Sequence, residues 1–200
     1  MSGPFATLLP VEGDLTDDLR RYLQQSRDSI LHSLGGLPEY EVRRPVMPSG
    51  TNLLGLVKHL VGVETSYLGD CVGRPAPITI PWVDDGSIWD GADMWATAGE
   101  SRDYIIGLYR SAAEHSDTSI IEIPLDTPAH VEWWPKERRN TTFGHLLIRV
   151  VAETAQHAGH ADIVRETIDG RGGRDHDELG DKSWWAKYVE RIQAAADVHR

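Results

Sequence analysis

The 200-residue chain carries 31 Asp and Glu against 20 Lys and Arg, a formal net charge of −11 that argues against binding a nucleic-acid backbone. With 40 % hydrophobic and 26 % charged residues it is neither disordered nor membrane-spanning, since Lys58, Arg110 and Arg149 interrupt the most apolar stretches. The length suits one domain over residues 1–200, with a core at 15–170.

Met1 to Phe5, followed by Glu12 and Asp14, lacks the basic and apolar regions of a signal peptide. A single cysteine, Cys71, excludes an internal disulfide framework, so a cytoplasmic location is expected. The first helix is predicted over 15–34, where Leu15, Leu19, Tyr22, Leu23, Ile30 and Leu34 recur at helical spacing. Asp14 is its expected cap and Gly35 with Gly36 its stop. Pro38, Pro45 and Pro48 mark 37–49 as an ordered connection without a regular element.

A second helix starts at Thr51 or Asn52 and runs to about Asp70. Residues 74–96 hold Pro75, Pro77, Pro81, four acidic residues and Trp82, Trp89 and Trp95, a long loop of the kind that forms lids or binding walls. Thr97 and Glu100 have capping-box spacing for a third helix that fades near His115. Ile120 to Ile123 reads as a short extended piece, too brief for a sheet. The longest helix runs from Thr142 to Ile168 and stops at Asp169 and Gly170. Beyond a Gly- and Arg-rich linker, Ser183 is the expected cap of a last amphipathic helix bearing Trp184, Trp185, Tyr188, Ile192 and Ala196. The expected fold is all-α: an antiparallel four-helix bundle with a long loop between its second and third helices and a C-terminal helix.

Arg149, Glu153, His157 and His160 fall within roughly 80° of one another on one face of the longest helix. Polar groups stacked on a buried face are costly without partners, and a divalent metal satisfies carboxylate and imidazole together. A third ligand is sought on another helix, and His59 lies in an otherwise apolar stretch. Three ligands and an open position describe a catalytic zinc site better than a structural one. A Glu and His one turn apart also occur as surface pairs, and a lone His on an apolar stripe also occurs as a packed core residue, so spacing leaves those readings open.

The run from Pro45 through His59 to Glu64 resembles the DinB superfamily of metal-binding four-helix bundles. The run from Glu153 through His157 and His160 to Glu166, closing on Ile168 to Gly170, is similar to the same group. The likeness covers roughly residues 15–170 and is strongest to the actinobacterial branch of mycothiol-dependent transferases and isomerases. It implies that His59, Glu153 and His157 bind a divalent metal, typically zinc, and that partners are often further copies of the chain. Relatives often carry a histidine where this chain has Arg149, which is always protonated and not a ligand. Arg149 is left to hold a substrate carboxylate, pair with Glu153 or point away. His160 is a fourth ligand, a packing residue or, as favoured here, a hydrogen-bonding support for a ligand.

The expected function is activation of mycothiol, or a similar small thiol, at zinc for S-conjugation or exchange on an electrophilic small molecule. Arg149 and His160 are the candidate catalytic residues, and Tyr67, Trp82 and Trp89 (with Trp95) the candidate cofactor-binding wall; the tryptophans also suit core plugs. A thiol-dependent isomerase, a metal-dependent hydrolase and a non-catalytic metal-stabilised module are the alternatives.

Overall fold

The computed structural model describes residues 13–173 and 175–200. Met1 to Glu12, read above for a targeting signal, and Arg174 of the linker lie outside them. The elements are α1 (Leu15–His32), α2 (Glu39–Arg43), α3 (Leu53–Leu68), α4 (Pro81–Asp84), α5 (Arg102–Glu122), β1 (Pro128–His130), β2 (Asn140–Thr142), α6 (Phe143–Asp169), α7 (His176–Leu179) and α8 (Lys182–Asp197). Among the described residues no helix is long and apolar enough to cross a membrane.

Most boundaries follow local chemistry. Asp14 caps α1 by accepting from the Thr16 amide at 3.0 Å, and Asn52 caps α3 by accepting from the Gly55 amide at 2.8 Å. Gly170, at φ 77°, ends α6 in the left-handed conformation. Elsewhere tertiary contacts moved the ends. Glu100 does reach back to the Thr97 amide (2.7 Å), but it also receives the Lys58 ammonium at 2.9 Å, and α5 is capped instead by Ser101. That helix runs past His115 and takes in Ile120 to Glu122, because Ser116, Ser119 and Ile120 continue its buried face. The proline-rich connection holds the short α2, and α8 is capped by Asp181 rather than Ser183. A small antiparallel hairpin, with Ala129 opposite Thr141, joins α5 to α6.

Each long helix of the bundle has two neighbours: α1 and α3 both pack against α5 and α6. Their directions are not all opposed. Arg165, near the end of α6, donates to the carbonyls of Ser33 and Gly35 just beyond α1, so those two helices run parallel. Arg20 of α1 instead meets Asp117 late in α5, and Arg102 at the start of α5 donates to Leu37 O, so α1 and α5 are antiparallel. Lys58 pairs with Glu100 while Gly69 lies beside His115, which makes α3 and α5 parallel. A parallel neighbour requires the chain to return the length of the helix it has just left, about 24 Å for the 16 residues of α3. The loop after α3 makes that return trip, and by covering α3 it leaves only His59 and Ser66 of that helix partly exposed.

The return is fastened at two points. Asn52 donates to Met94 O at 3.1 Å, and Lys58 donates to Trp95 O at 3.0 Å beneath the ring of Trp82. Across the bundle, buried Arg27 binds Glu64 (Nε to Oε1, 2.9 Å) and Asp117 (2.7 Å), tying α1 to α3 and α5.

Replacing Arg27→Ala leaves the Glu64 carboxylate buried without its cation and should cost about 3–5 kcal/mol, read from urea unfolding. Burial works to raise the Glu100 carboxyl, but the Thr97 amide and the Lys58 ammonium outweigh it and hold it below its ordinary 4.5. The unfolded chain therefore binds the proton first, and this stabilisation, complete above pH 4.5, is lost as pH falls through the depressed value. Melting curves of Glu100→Gln from pH 6 to about 3 should show a shallower acid decline than the parent.

Candidate metal centre

His59 projects from α3 and both Glu153 and His157 from α6, where the two helices face each other under the returning loop. The loop supplies a residue that the sequence did not single out. Asp93 is buried and its Oδ2 lies 2.6 Å from His59 Nδ1. A carboxylate only accepts, so Nδ1 donates its proton to Asp93, and Nε2 is the nitrogen turned toward Glu153 on α6. This carboxylate–imidazole pair is the usual support of a histidine ligand.

Opposite it, Glu153 Oε1 lies 3.7 Å from His59 Nε2 and 3.5 Å from His157 Nε2. Both distances exceed a normal hydrogen bond and match the roughly 3.4 Å edge of a tetrahedron with ~2.1 Å metal–ligand bonds. One ligand atom from each of the three residues lies within 4.8 Å of the others, and no other such trio of His, Cys, Asp or Glu occurs among the described residues. Burial, and then the neighbouring His59, hold the His157 imidazole below its ordinary 6.5, so it is neutral and able to ligate at neutral pH. The buried His157 Nδ1 has no hydrogen-bond partner among the described residues. Two imidazoles and a carboxylate, converging at more than hydrogen-bond distance, fit a divalent cation such as zinc.

The centre forms one wall of a cleft of about 420 Å³ that Tyr67, Trp89, Trp133 and Arg149 also line. Arg149 lies one turn from Glu153 (Nη2 to Oε2, 3.6 Å), with its guanidinium over the rings of Tyr67 and Trp134. It does not point away, and its pairing with Glu153 is at ion-pair rather than hydrogen-bond distance. His160 is exposed and touches His157 only edge-on, at 5.5 Å between ring centroids. Such a contact is not the hydrogen-bonded support expected of it; Asp93, on the other histidine, has that geometry.

The tryptophans separate by position. Trp89 stands at the cleft with 73 % exposure, whereas Trp82 is a buried plug with its ring face against Lys58, and Trp95 serves through its carbonyl outside the lining. Trp133 and Trp134, from the hairpin loop, were not anticipated; their adjacency was the only sequence signal. Cys71 is buried, and burial reinforced by Asp70 pushes its thiol up to about 12, so it is not a nucleophile.

A family model described as mycothiol S-transferase matches residues 18–170. The chain belongs to this mycothiol S-transferase family. Among solved structures it is similar to one described as the crystal structure of the conserved protein of locus from Enterococcus faecalis. That likeness has 12 % identity and a TM-score of 0.61, covering 79 % of this chain and 99 % of that one, and it shows a shared fold. No curated protein matches the chain.

Gly55 is what lets α3 receive the loop. A Cβ there would collide with the backbone carbonyl of Met94, next to Asp93. Gly55→Ala should displace that segment and loosen the His59–Asp93 contact. Zinc affinity, measured by chelator competition, is expected to fall at least about tenfold, with Asp93→Ala giving a comparable loss and helix content unchanged in both.

Proposed function

We propose that the chain is a metal-dependent thiol S-transferase that joins mycothiol, or a similar low-molecular-weight thiol, to an electrophilic small molecule. The observation that carries this reading is the convergence of His59, Glu153 and His157, the first two of them lining an open cleft, in a chain of the mycothiol S-transferase family. A divalent cation, zinc by the donor set, supplies when bound the positive charge that lowers the pKa of a coordinated thiol.

The remaining work falls to the chain. Asp93 holds the His59 proton on Nδ1 and so keeps Nε2 available. Lowered basicity keeps His157 from being lost to protonation. Trp89 and Trp133 flank the space where a second substrate enters, and their rings limit the water around a nucleophile. Because Cys71 is protonated and buried, the reactive sulfur comes from a co-substrate.

His59→Ala and His157→Ala should each lose bound metal by elemental analysis and lose conjugation of a generic electrophile, by about a hundredfold or more. Either variant retaining both metal and full turnover overturns the assignment. In the parent protein, turnover without added thiol would instead describe a hydrolase, and metal without turnover a binding module.

A further inference from the structure

Hydrogen-bond bookkeeping at Tyr67 assigns a role that wall-building does not. The hydroxyl oxygen receives two indole N–H groups, Trp133 Nε1 at 3.3 Å and Trp134 Nε1 at 3.2 Å. An indole N–H only donates, so both bonds fall on the oxygen's lone pairs, and the phenolic proton is left to be donated. Among the described residues it meets no protein acceptor, while the side chain lines the cleft. Two tryptophans thus hold a tyrosine in one sense, as a donor.

Arg149 adds a second donor on the same wall. Its guanidinium is held over the Tyr67 ring at 5.0 Å and the Trp134 ring at 5.8 Å. Glu153 Oε2, at 3.6 Å, is too distant to occupy it fully, and Glu153 is already directed at the two histidines. Asp70, Asp93 and Glu153 also line the cleft, Asp93 being taken up by His59 and Glu153 by the two histidines, so the donor character belongs to the Tyr67–Arg149 wall rather than to the whole cavity.

We propose that Tyr67 and Arg149 form a carboxylate-binding subsite beside the metal centre, with Tyr67 donating its phenolic proton and Arg149 supplying the charge. This rests on the cleft being the electrophile's site and narrows the electrophile to an acidic molecule. Trp89 and Trp133 at the same cleft suit an aromatic or other flat body on that acid.

Calorimetric titration of the metal-loaded protein with benzoate and with its neutral analogue benzamide tests this without thiol or turnover. The parent should prefer benzoate at least about tenfold. Tyr67→Phe and Arg149→Gln should each reduce that preference about fivefold or more, with benzamide binding and metal content unchanged. Trp134→Phe keeps the hydroxyl but frees one lone pair, and should give a smaller loss; it and Arg149→Gln carry the test if Tyr67→Phe does not fold. No preference in the parent overturns the subsite, and so does a preference that survives Tyr67→Phe and Arg149→Gln, which would place the carboxylate on the metal. A preserved preference pattern in a protein without thiol-dependent turnover sinks the transferase reading and leaves the subsite standing.

Discussion

The close approach of the Met94 carbonyl to Gly55 is the contact on which the site depends. Parallel packing of α3 and α5 obliges the intervening chain to travel back along α3, and a returning chain needs somewhere to lie flat. A glycine on the helix face supplies that place, Asn52 and Lys58 fasten the backbone that uses it, and Asp93 arrives at His59 as a consequence. The loop is therefore both the covering of a nearly all-buried helix and the supplier of the carboxylate that orients a ligand.

Polarity is distributed in the bundle by the same logic. Charges buried away from the cleft are matched internally: Arg27 is held between Glu64 and Asp117, and Lys58 lies against Glu100 and the face of Trp82. At the cleft the polar atoms are deliberately incomplete in the bonding sense. Glu153 faces two imidazole nitrogens beyond hydrogen-bond distance, and Tyr67 has a proton with no protein acceptor among the described residues. Satisfied charges stabilise the frame, and unsatisfied ones mark where ligands complete it.

Fold and ligand set were legible to different depths. Caps such as Asp14, Asn52 and Thr142 act on amides two or three residues away, so the starts of α1, α3 and α6 could be read locally. The false start at Thr97 arose because Glu100 satisfies the local rule and a distant lysine at once, leaving Ser101 to cap the helix. Helix periodicity grouped Glu153 with His157 and isolated His59 on an apolar stretch, and the family resemblance named the trio that α3 and α6 bring together. It could not sort His160, since four residues within one arc differ in exposure only once a neighbouring helix is packed against them.

Sequence by itself determined where the long helices lie, the caps of α1 and α3 and the pairing of Glu153 with His157 on one face, because each is written in spacings of a few residues. Tertiary structure alone decided which helices run parallel, that Asp93 orients His59, that Trp82 is core while Trp89 meets the cleft, and that Trp133 and Trp134 direct the Tyr67 hydroxyl. The Asp93, Trp133 and Trp134 contacts join loop residues to helices 34 or more residues away, where no periodicity links the partners and only the path of the chain through space brings them together.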